Sequence, residues 1–151
     1  MWYYTPMKNL DKNSKGLFDY DLKEHLTAGL VLSGPEVKSA KRGDVSLAGS
    51  YVTVNSSEVW LVNCHIGPYQ YAPNKGYEPT QRRKLHIKKG EINSLLGKEK
   101  GLVIIPVELF IGDNGRIKLH VGIGRARKKV DKREYIKKRD VDREIRQAEK
   151  F

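Results

Sequence analysis

The feature of the sequence that most restricts its fold is a pair of apolar runs joined by a short turn segment. Leu102–Ile111 is almost wholly apolar, and Ile117–Ile123 is the second run. Asp113-Asn114-Gly115 lies between them and has the side chains and the glycine that tight hairpin turns favour. The two runs therefore predict a long antiparallel hairpin, which is stable only when further strands or helices cover its apolar faces.

Further runs of β-branched, aromatic and other apolar residues predict the rest of the sheet. They are Leu17–Leu22, Leu26–Leu32, Tyr51–Val54 and Val59–Val62. A total of six or seven short strands favours a small closed antiparallel β-barrel over an open sheet. The predicted fold class is therefore mainly β.

Two short helices are predicted between the strands. Pro35–Arg42 has a proline in its first turn and ends at Gly43, as helices commonly do. Glu91–Leu96 has one apolar face. We expect that face to cover an open end of the barrel.

The charge of the chain restricts its partners. Lysine and arginine total 29 against 18 aspartate and glutamate residues, a formal net charge of +11. Such an excess favours polyanions, of which nucleic acid and anionic membrane are the main classes. No run approaches the roughly 18 consecutive apolar residues of a membrane span, so we expect a nucleic-acid partner and no membrane.

The positive charge is concentrated at the C-terminus. Residues 125–151 carry 12 basic and 6 acidic residues, a net +6, whereas residues 1–124 carry 17 and 12, a net +5. Val141, Ile145 and Ala148 form only a narrow apolar stripe on a predicted helix, too little to offset the entropy lost on ordering. We therefore expect a basic tail that is disordered alone and becomes helical on a polyanion.

A second basic cluster lies within the predicted β region, at Arg82–Lys89, where five of eight residues are lysine or arginine. Strand alternation would place Leu85 toward the core, and Lys84 and His86 together on the outer face. A row of cations on one face suits the phosphates of a nucleic-acid strand. The alternative is a solvated strand whose charges only prevent aggregation.

No catalytic or metal-binding motif is recognisable. His25, His65, His86 and His120 are too far apart in sequence to suggest a zinc site. Cys64 is the single cysteine, so no internal disulfide can form, and its apolar neighbours indicate a core residue of a cytoplasmic protein. We predict no enzyme activity, no catalytic residue, no metal and no cofactor.

Several short motifs along the chain form a recognisable pattern. They are Gly34-Pro35-Glu36-Val37-Lys38-Ser39, Ser50-Tyr51, Trp60-Leu61-Val62-Asn63, His65-Ile66, Pro68-Tyr69, Arg83-Lys84-Leu85 and Asp131-Lys132-Arg133. Their order and spacing, from about Asn13 to Arg146, resemble the small protein B (SmpB) family. The chain departs from the family pattern at Thr27, Ala126 and Val130, where glutamate, glycine, and an aromatic residue or histidine are usual.

The resemblance implies a β-barrel of the oligonucleotide-binding (OB) type that binds the transfer-RNA-like domain of transfer-messenger RNA (tmRNA). It implies delivery of that RNA to stalled ribosomes in trans-translation, with the tail probing the empty messenger channel near the decoding centre of the small subunit. The matching motifs and the basic segments predict RNA contacts at Asn13, Glu36, Lys38, Tyr51, Arg82, Arg83, Lys84, Arg125, Arg127, Lys128 and Lys129. The tail residues predicted to contact the ribosome are Asp131, Lys132, Arg133, Ile136, Lys137, Lys138, Arg139, Val141 and Ile145.

These inferences divide the chain into a flexible N-terminus (1–12), an RNA-binding barrel (13–124) and a basic tail (125–151), and we expect a monomer. Glu36 would accept hydrogen bonds from bases or riboses. One alternative is another OB-type RNA-binding protein of the translation apparatus, such as a ribosomal protein or initiation-type factor. Another is a metal-dependent nuclease that uses Asp19 and Asp21 with Arg82 or Arg83.

Overall fold

The structure is a computed structural model that describes residues 8–55, 58–96 and 101–149. Strands make up most of the regular structure before residue 127, and a long helix follows them. In chain order the elements are β1 (Lys8–Lys12), α1 (Ser14–Asp19), β2 (Tyr20–Leu30), α2 (Gly34–Lys41), β3 (Val45–Ser46), β4 (Tyr51–Asn55), β5 (Glu58–Val62), β6 (His65–Ile66), β7 (Arg83–His86), α3 (Lys89–Leu96), β8 (Val103–Ile111), β9 (Ile117–Ala126) and α4 (Lys129–Glu149).

Seven of these strands form one antiparallel sheet, in the order β1-β8-β9-β2-β7-β5-β4, and β3 pairs with β6. The predicted β8–β9 hairpin is confirmed, because Ile111 and Ile117 are register partners at its closed end. Gly115 in its turn has a φ of 77°, which a residue without a side chain adopts at little cost. The mainly β class is therefore correct.

The sheet curls strongly, but a closed barrel is not shown. β1 and β4 are its two edges in the described residues, and no ladder joins them. β1 pairs only with Glu108–Ile111 at the end of β8. The first half of β8 instead approaches β4 across an open seam of about 370 Å³, with Tyr51 and Val54 on one side and Val103 on the other.

The N-terminal part of the described chain corrects two expectations. Lys8–Lys12 is an edge strand paired with β8, so these residues are not part of a flexible terminus; residues 1–7 lie outside the described residues. Leu17–Asp19 is helical because Asn13 caps α1, accepting from the Gly16 N–H at 3.1 Å. The two strands expected from Leu17 to Leu32 are one long strand, β2, that continues through Gly29.

Gly122 and Gly124 on β9 lie very close to β2. A Cβ atom at Gly124 would lie 1.9 Å from the carbonyl oxygen of Asp21, and one at Gly122 would lie 2.4 Å from the Leu22 side chain. Both glycines therefore allow β9 to cross β2 closely where the β2 register shifts.

The core lies between the inner face of the sheet and the segments that cover it. Its fully buried side chains include Leu47, Leu61, Cys64, Ile66, Leu109 and Leu119. Ile92 of α3 is also buried, as the predicted apolar face of that helix requires, and the side chains of Leu95 and Leu96 lie outside the described residues. In the described ranges, no helix is both long and apolar enough to cross a membrane.

Candidate nucleic-acid interface

A buried ion pair joins α2 to β7. The Arg83 Nε atom lies 2.7 Å from Glu36 Oε2, and the two side chains are 2% and 4% exposed. Glu36 stands in the first turn of α2, where its other oxygen accepts from the Ser33 N–H at 3.1 Å and Ser33 Oγ accepts from the Glu36 N–H in return. This capping box aims the carboxylate inward.

Arg83 uses its remaining donors to hold the segment between β6 and β7. It donates to the carbonyl oxygen of Cys64, to that of Pro79 at 2.9 Å and to the Tyr77 hydroxyl at 3.2 Å. A planar guanidinium with five donors suits such a set of acceptors. Arg83 therefore anchors loop 67–82 to the sheet.

The ionised form of Glu36 is favoured inside the protein. Burial by itself would raise the pKa of this carboxyl, but the Ser33 N–H and the paired Arg83 guanidinium outweigh burial and lower the pKa below its usual value. Glu36 is therefore a carboxylate near neutral pH, and its charge is neutralised by Arg83.

Three residues with predicted RNA contacts, Asn13, Glu36 and Arg83, are buried in the structure. Each is less than 9% exposed and makes hydrogen bonds within the protein. The Asn13 amide, for example, donates to the carbonyl oxygen of Pro106 at 2.8 Å. These residues position α1, α2 and loop 67–82, and direct RNA contact by them stays a prediction.

Three other predicted residues share the outer face of β4, β5 and β7. Lys84 is the register partner of Trp60 on β7, and Tyr51 is two residues from Thr53, the register partner of Trp60 on β4. The Arg82 guanidinium lies 4.3 Å from the centroid of the Trp60 ring, and Lys84 Nζ lies 3.6 Å from a carboxylate oxygen of Glu58. Exposed cations beside aromatic rings are typical of surfaces that bind RNA.

A groove of about 400 Å³ at the end of β2 was not predicted from the sequence. Its apolar wall includes Leu30 and Val37, and His86, Arg116 and Lys118 lie around it. The groove therefore combines an apolar wall with the cationic side chains of Arg116 and Lys118. Lys38 is exposed on α2, next in the chain to Val37.

The remaining predicted RNA-contacting residues lie where β9 meets α4. Arg125, Lys128 and Lys129 are exposed. Arg127 is fixed more firmly, because its N–H donates to the carbonyl oxygen of Asp19 at 2.8 Å and its guanidinium lies 4.4 Å from the Tyr135 ring. These cations surround the base of the tail.

The tail is a helix whose first turns contact α1. Tyr135 packs edge-on against Phe18 with 6.2 Å between ring centroids, and Lys132 Nζ lies 3.4 Å from an Asp19 carboxylate oxygen. From Lys137 to Ala148 every side chain is exposed. The structure therefore shows the helix, and disorder in the free protein stays a prediction for its outer part.

The tail residues predicted to contact the ribosome accordingly fall into two groups. Lys132 and Ile136 are half-buried near α1. The others are exposed along the helix, at Asp131, Arg133, Lys137, Lys138, Arg139, Val141 and Ile145.

The carboxylates proposed for a nuclease do not form a metal site. Asp19 is paired with Lys132, and Asp21 lies 2.8 Å from Lys23 Nζ. Across the described parts of the chain, no group of three or more His, Cys, Asp or Glu residues could hold a metal ion. Nothing in these residues therefore supports a metal-dependent nuclease.

Cys64 is buried in the core, as predicted, and should be chemically inert in the folded protein. It is fully buried, and burial raises the pKa of its thiol to about 11. We expect negligible alkylation by iodoacetamide at about pH 8, where almost no reactive thiolate forms, and rapid alkylation in denaturant. Mass spectrometry would measure both rates, and equal rates would contradict this burial.

Comparison with known proteins gives one consistent family. The family model described as "SmpB protein" matches residues 10–151. An SsrA-binding protein of Coprothermobacter proteolyticus is 45% identical over 149 residues, covering 96% of this chain and 99% of the relative. The chain belongs to the SmpB protein family. An SsrA-binding protein of Oleidesulfovibrio alaskensis is 43% identical and covers 89% of this chain and 88% of its own length.

A solved structure agrees with this family membership. One chain of "tmRNA-SmpB: a journey to the center of the bacterial ribosome" matches with a TM-score of 0.60 and 31% identity. The match covers 82% of this chain and 85% of that chain. SmpB membership thus extends over the sheet, the buried Glu36–Arg83 pair and the basic tail.

Proposed function

We propose that this chain binds the transfer-RNA-like domain of tmRNA and delivers it to stalled ribosomes in trans-translation. The observation that carries the proposal is similarity to SsrA-binding proteins over almost the full length of both chains. The solved relative described with tmRNA and the bacterial ribosome supports it. The chain acts as an adaptor in the cytoplasm, without a catalytic step of its own.

The exposed cations give the proposed function a physical basis. Lys38, Arg82 and Lys84 lie on surfaces that also present aromatic or apolar groups, so they can neutralise phosphates beside exposed bases. The curled sheet is an OB-type barrel in this proposal, and the β4–β8 seam is where the barrel closes incompletely. Residues 13–124 form the RNA-binding unit.

The tail would act on the ribosome after the RNA is bound. A helix of 21 residues is about 30 Å long, and its outer part is free of contacts with α1. Its cations suit small-subunit RNA near the decoding centre and the empty messenger channel. Residues 125–151 therefore form the second functional unit.

Recovery of the bound RNA tests the proposed function directly. Affinity-tagged protein should retain tmRNA from a bacterial extract, identified by sequencing, and should prefer its transfer-RNA-like domain over a plain duplex in vitro. Retention of ribosomal RNA alone, without tmRNA, would instead favour a ribosomal or initiation-type protein. Cleavage of the RNA with magnesium would favour the nuclease.

Lys84→Ala should weaken binding to structured RNAs without changing which RNA is preferred. Loss of one phosphate contact should reduce the slope of log affinity against log salt by about one. Fluorescence anisotropy across a salt series measures that slope. Lys8→Ala on edge strand β1 is the matched control, and an unchanged slope for Lys84→Ala would remove Lys84 from the interface.

A further inference from the structure

Loop 67–82 presents an aromatic and cationic surface whose exposed ring, Tyr71, has no role in the predicted RNA contacts. Tyr69 and Tyr71 meet edge to face with 5.4 Å between ring centroids. The Tyr69 ring also lies 5.6 Å from Lys38 Nζ and 5.8 Å from the Arg42 guanidinium, both on or just after α2. We refer to Lys38, Arg42, Tyr69 and Tyr71 as the loop surface.

The Tyr71 ring of the loop surface is largely exposed to solvent. Tyr71 is 75% exposed, the largest exposure among the exposed large hydrophobic side chains of the described residues. Its position next to Tyr69 places it within reach of whatever the two cations attract. Tyr71 contacts the Tyr69 ring, which the two cations also approach, so the exposed ring is part of one aromatic and cationic cluster.

The backbone beneath the loop surface is held in place. Ser39 Oγ donates to the Gly67 carbonyl oxygen at 2.6 Å, and the Asn74 amide donates to that of Tyr69 at 3.0 Å. Arg83 fixes the far end of the loop through Pro79. A surface that is ordered before binding loses less entropy when a ligand arrives. The buried Glu36–Arg83 pair therefore serves to hold this surface beside α2.

The chemistry of the four side chains favours RNA over protein as the ligand. None of the four is acidic, and Lys38 and Arg42 are both exposed to solvent. Unpaired bases stack on exposed aromatic rings, whereas bases within a duplex are already stacked and cannot reach them. Cations next to the ring would neutralise the phosphates of the same nucleotides.

We propose that the loop surface binds an unpaired nucleotide of RNA, with its base stacked on Tyr71 and its flanking phosphates on Lys38 and Arg42. Tyr69 holds the two cations and the outer ring together. The inference rests on the proposed function in one respect, because it takes RNA as the ligand.

The test compares Tyr71→Ala and Tyr71→Phe in the full chain. Three probes are used in anisotropy titrations: a transcript of the transfer-RNA-like domain, an unstructured RNA oligonucleotide and a fully paired RNA hairpin. Tyr71→Ala should lose about tenfold in affinity for the first two and keep its affinity for the hairpin. Tyr71→Phe should bind all three like the wild type, because stacking needs the ring and not the hydroxyl group.

The salt dependence of RNA affinity distinguishes the contribution of the Tyr71 ring from that of the two cations. Tyr71→Ala should leave the salt slope unchanged, whereas Lys38→Ala and Arg42→Ala should each lower it by about one. Since Tyr71 is exposed, thermal unfolding of Tyr71→Ala should match the wild type.

Different experimental results would contradict this inference and the proposed function. Wild-type affinity of Tyr71→Ala for the unstructured oligonucleotide and for the transcript would overturn the inference and leave the loop surface to a protein partner. A wild-type protein that shows no preference for the transcript over the hairpin would overturn the proposed function. In that case the unstructured oligonucleotide still decides the role of Tyr71.

Discussion

Arg83→Met should lower the free energy of unfolding by about 3–5 kcal/mol, because it leaves the Glu36 carboxylate buried without its cation. The change also removes the donors to Cys64, Tyr77 and Pro79. In a chain of this size the midpoint of thermal unfolding should fall by roughly 6–20 °C. Far-UV circular dichroism in urea and on heating measures both quantities.

The next residue supplies the matched control. Arg82→Met alters an exposed side chain and should change the free energy of unfolding by no more than about 0.5 kcal/mol. Arg83→Lys should be less damaging than Arg83→Met but still destabilising, because it keeps a cation beside Glu36 and cannot reach all the acceptors around the planar fork. Equal stability of Arg83→Met and Arg82→Met would contradict the buried network.

The ion pair also predicts how stability depends on acid. The pKa of Glu36 in the folded protein is lowered from its ordinary value of 4.5, so its contribution is complete above that pH. The contribution is lost as pH falls from 4.5 toward the lowered folded pKa. Glu36→Gln should therefore be less stable than the wild type at neutral pH, and the difference should shrink on acidification. A difference that stays constant down to pH 3 would be inconsistent with an ionised Glu36.

Local patterns were enough to predict the elements that depend on neighbouring residues. The β8–β9 hairpin follows from two apolar runs and the turn at Asp113-Asn114-Gly115, all within one stretch of chain. The helix α2 follows from its proline and glycine boundaries. Both were recognisable because the decisive interactions are between residues close in sequence.

The burial of Arg83 was not anticipated from the sequence. Its RNA contact was predicted from a family motif, although it has the same strand parity as Leu85, which was correctly placed in the core. Alternation alone would have directed Arg83 inward. What the sequence could not supply was its partner, because Glu36 lies 47 positions away and nothing local marks the pair.

The groove and the N-terminal strand depend on the same kind of distant contact. His86 on β7 and Lys118 on β9 lie on the two sides of β2, because β2 runs between those strands in the sheet. Lys8–Lys12 is polar enough to suggest a flexible terminus, and it becomes a strand because the outer edge of β8 offers unpaired backbone groups. Neither result follows from periodicity within one segment.

Truncation after Ile136 should abolish ribosome rescue while leaving the folded sheet domain and its binding to tmRNA intact. The removed residues from Lys137 onward are exposed as far as Ala148, and none of them belongs to the hydrophobic core. The truncated chain keeps the Tyr135 contact with Phe18 and the Lys132 pair with Asp19. Truncation after Val130 would lose both contacts, so a small loss of stability is expected for that shorter chain.

Three measurements on the chain truncated after Ile136 distinguish RNA binding from ribosome rescue. Thermal unfolding and affinity for the transfer-RNA-like transcript should match the full chain, whereas peptide tagging on stalled ribosomes should fall to the level seen without protein. Replacing Val141 and Ile145, each 51% exposed, with glutamine should reduce tagging at unchanged net charge, because their apolar groups can pack only on a partner. Val130→Gln is the control, since Val130 is 64% exposed at the start of the same helix. Normal tagging by the truncated chain would show that the outer helix has no part in rescue, and the barrel surfaces would then have to carry the whole activity.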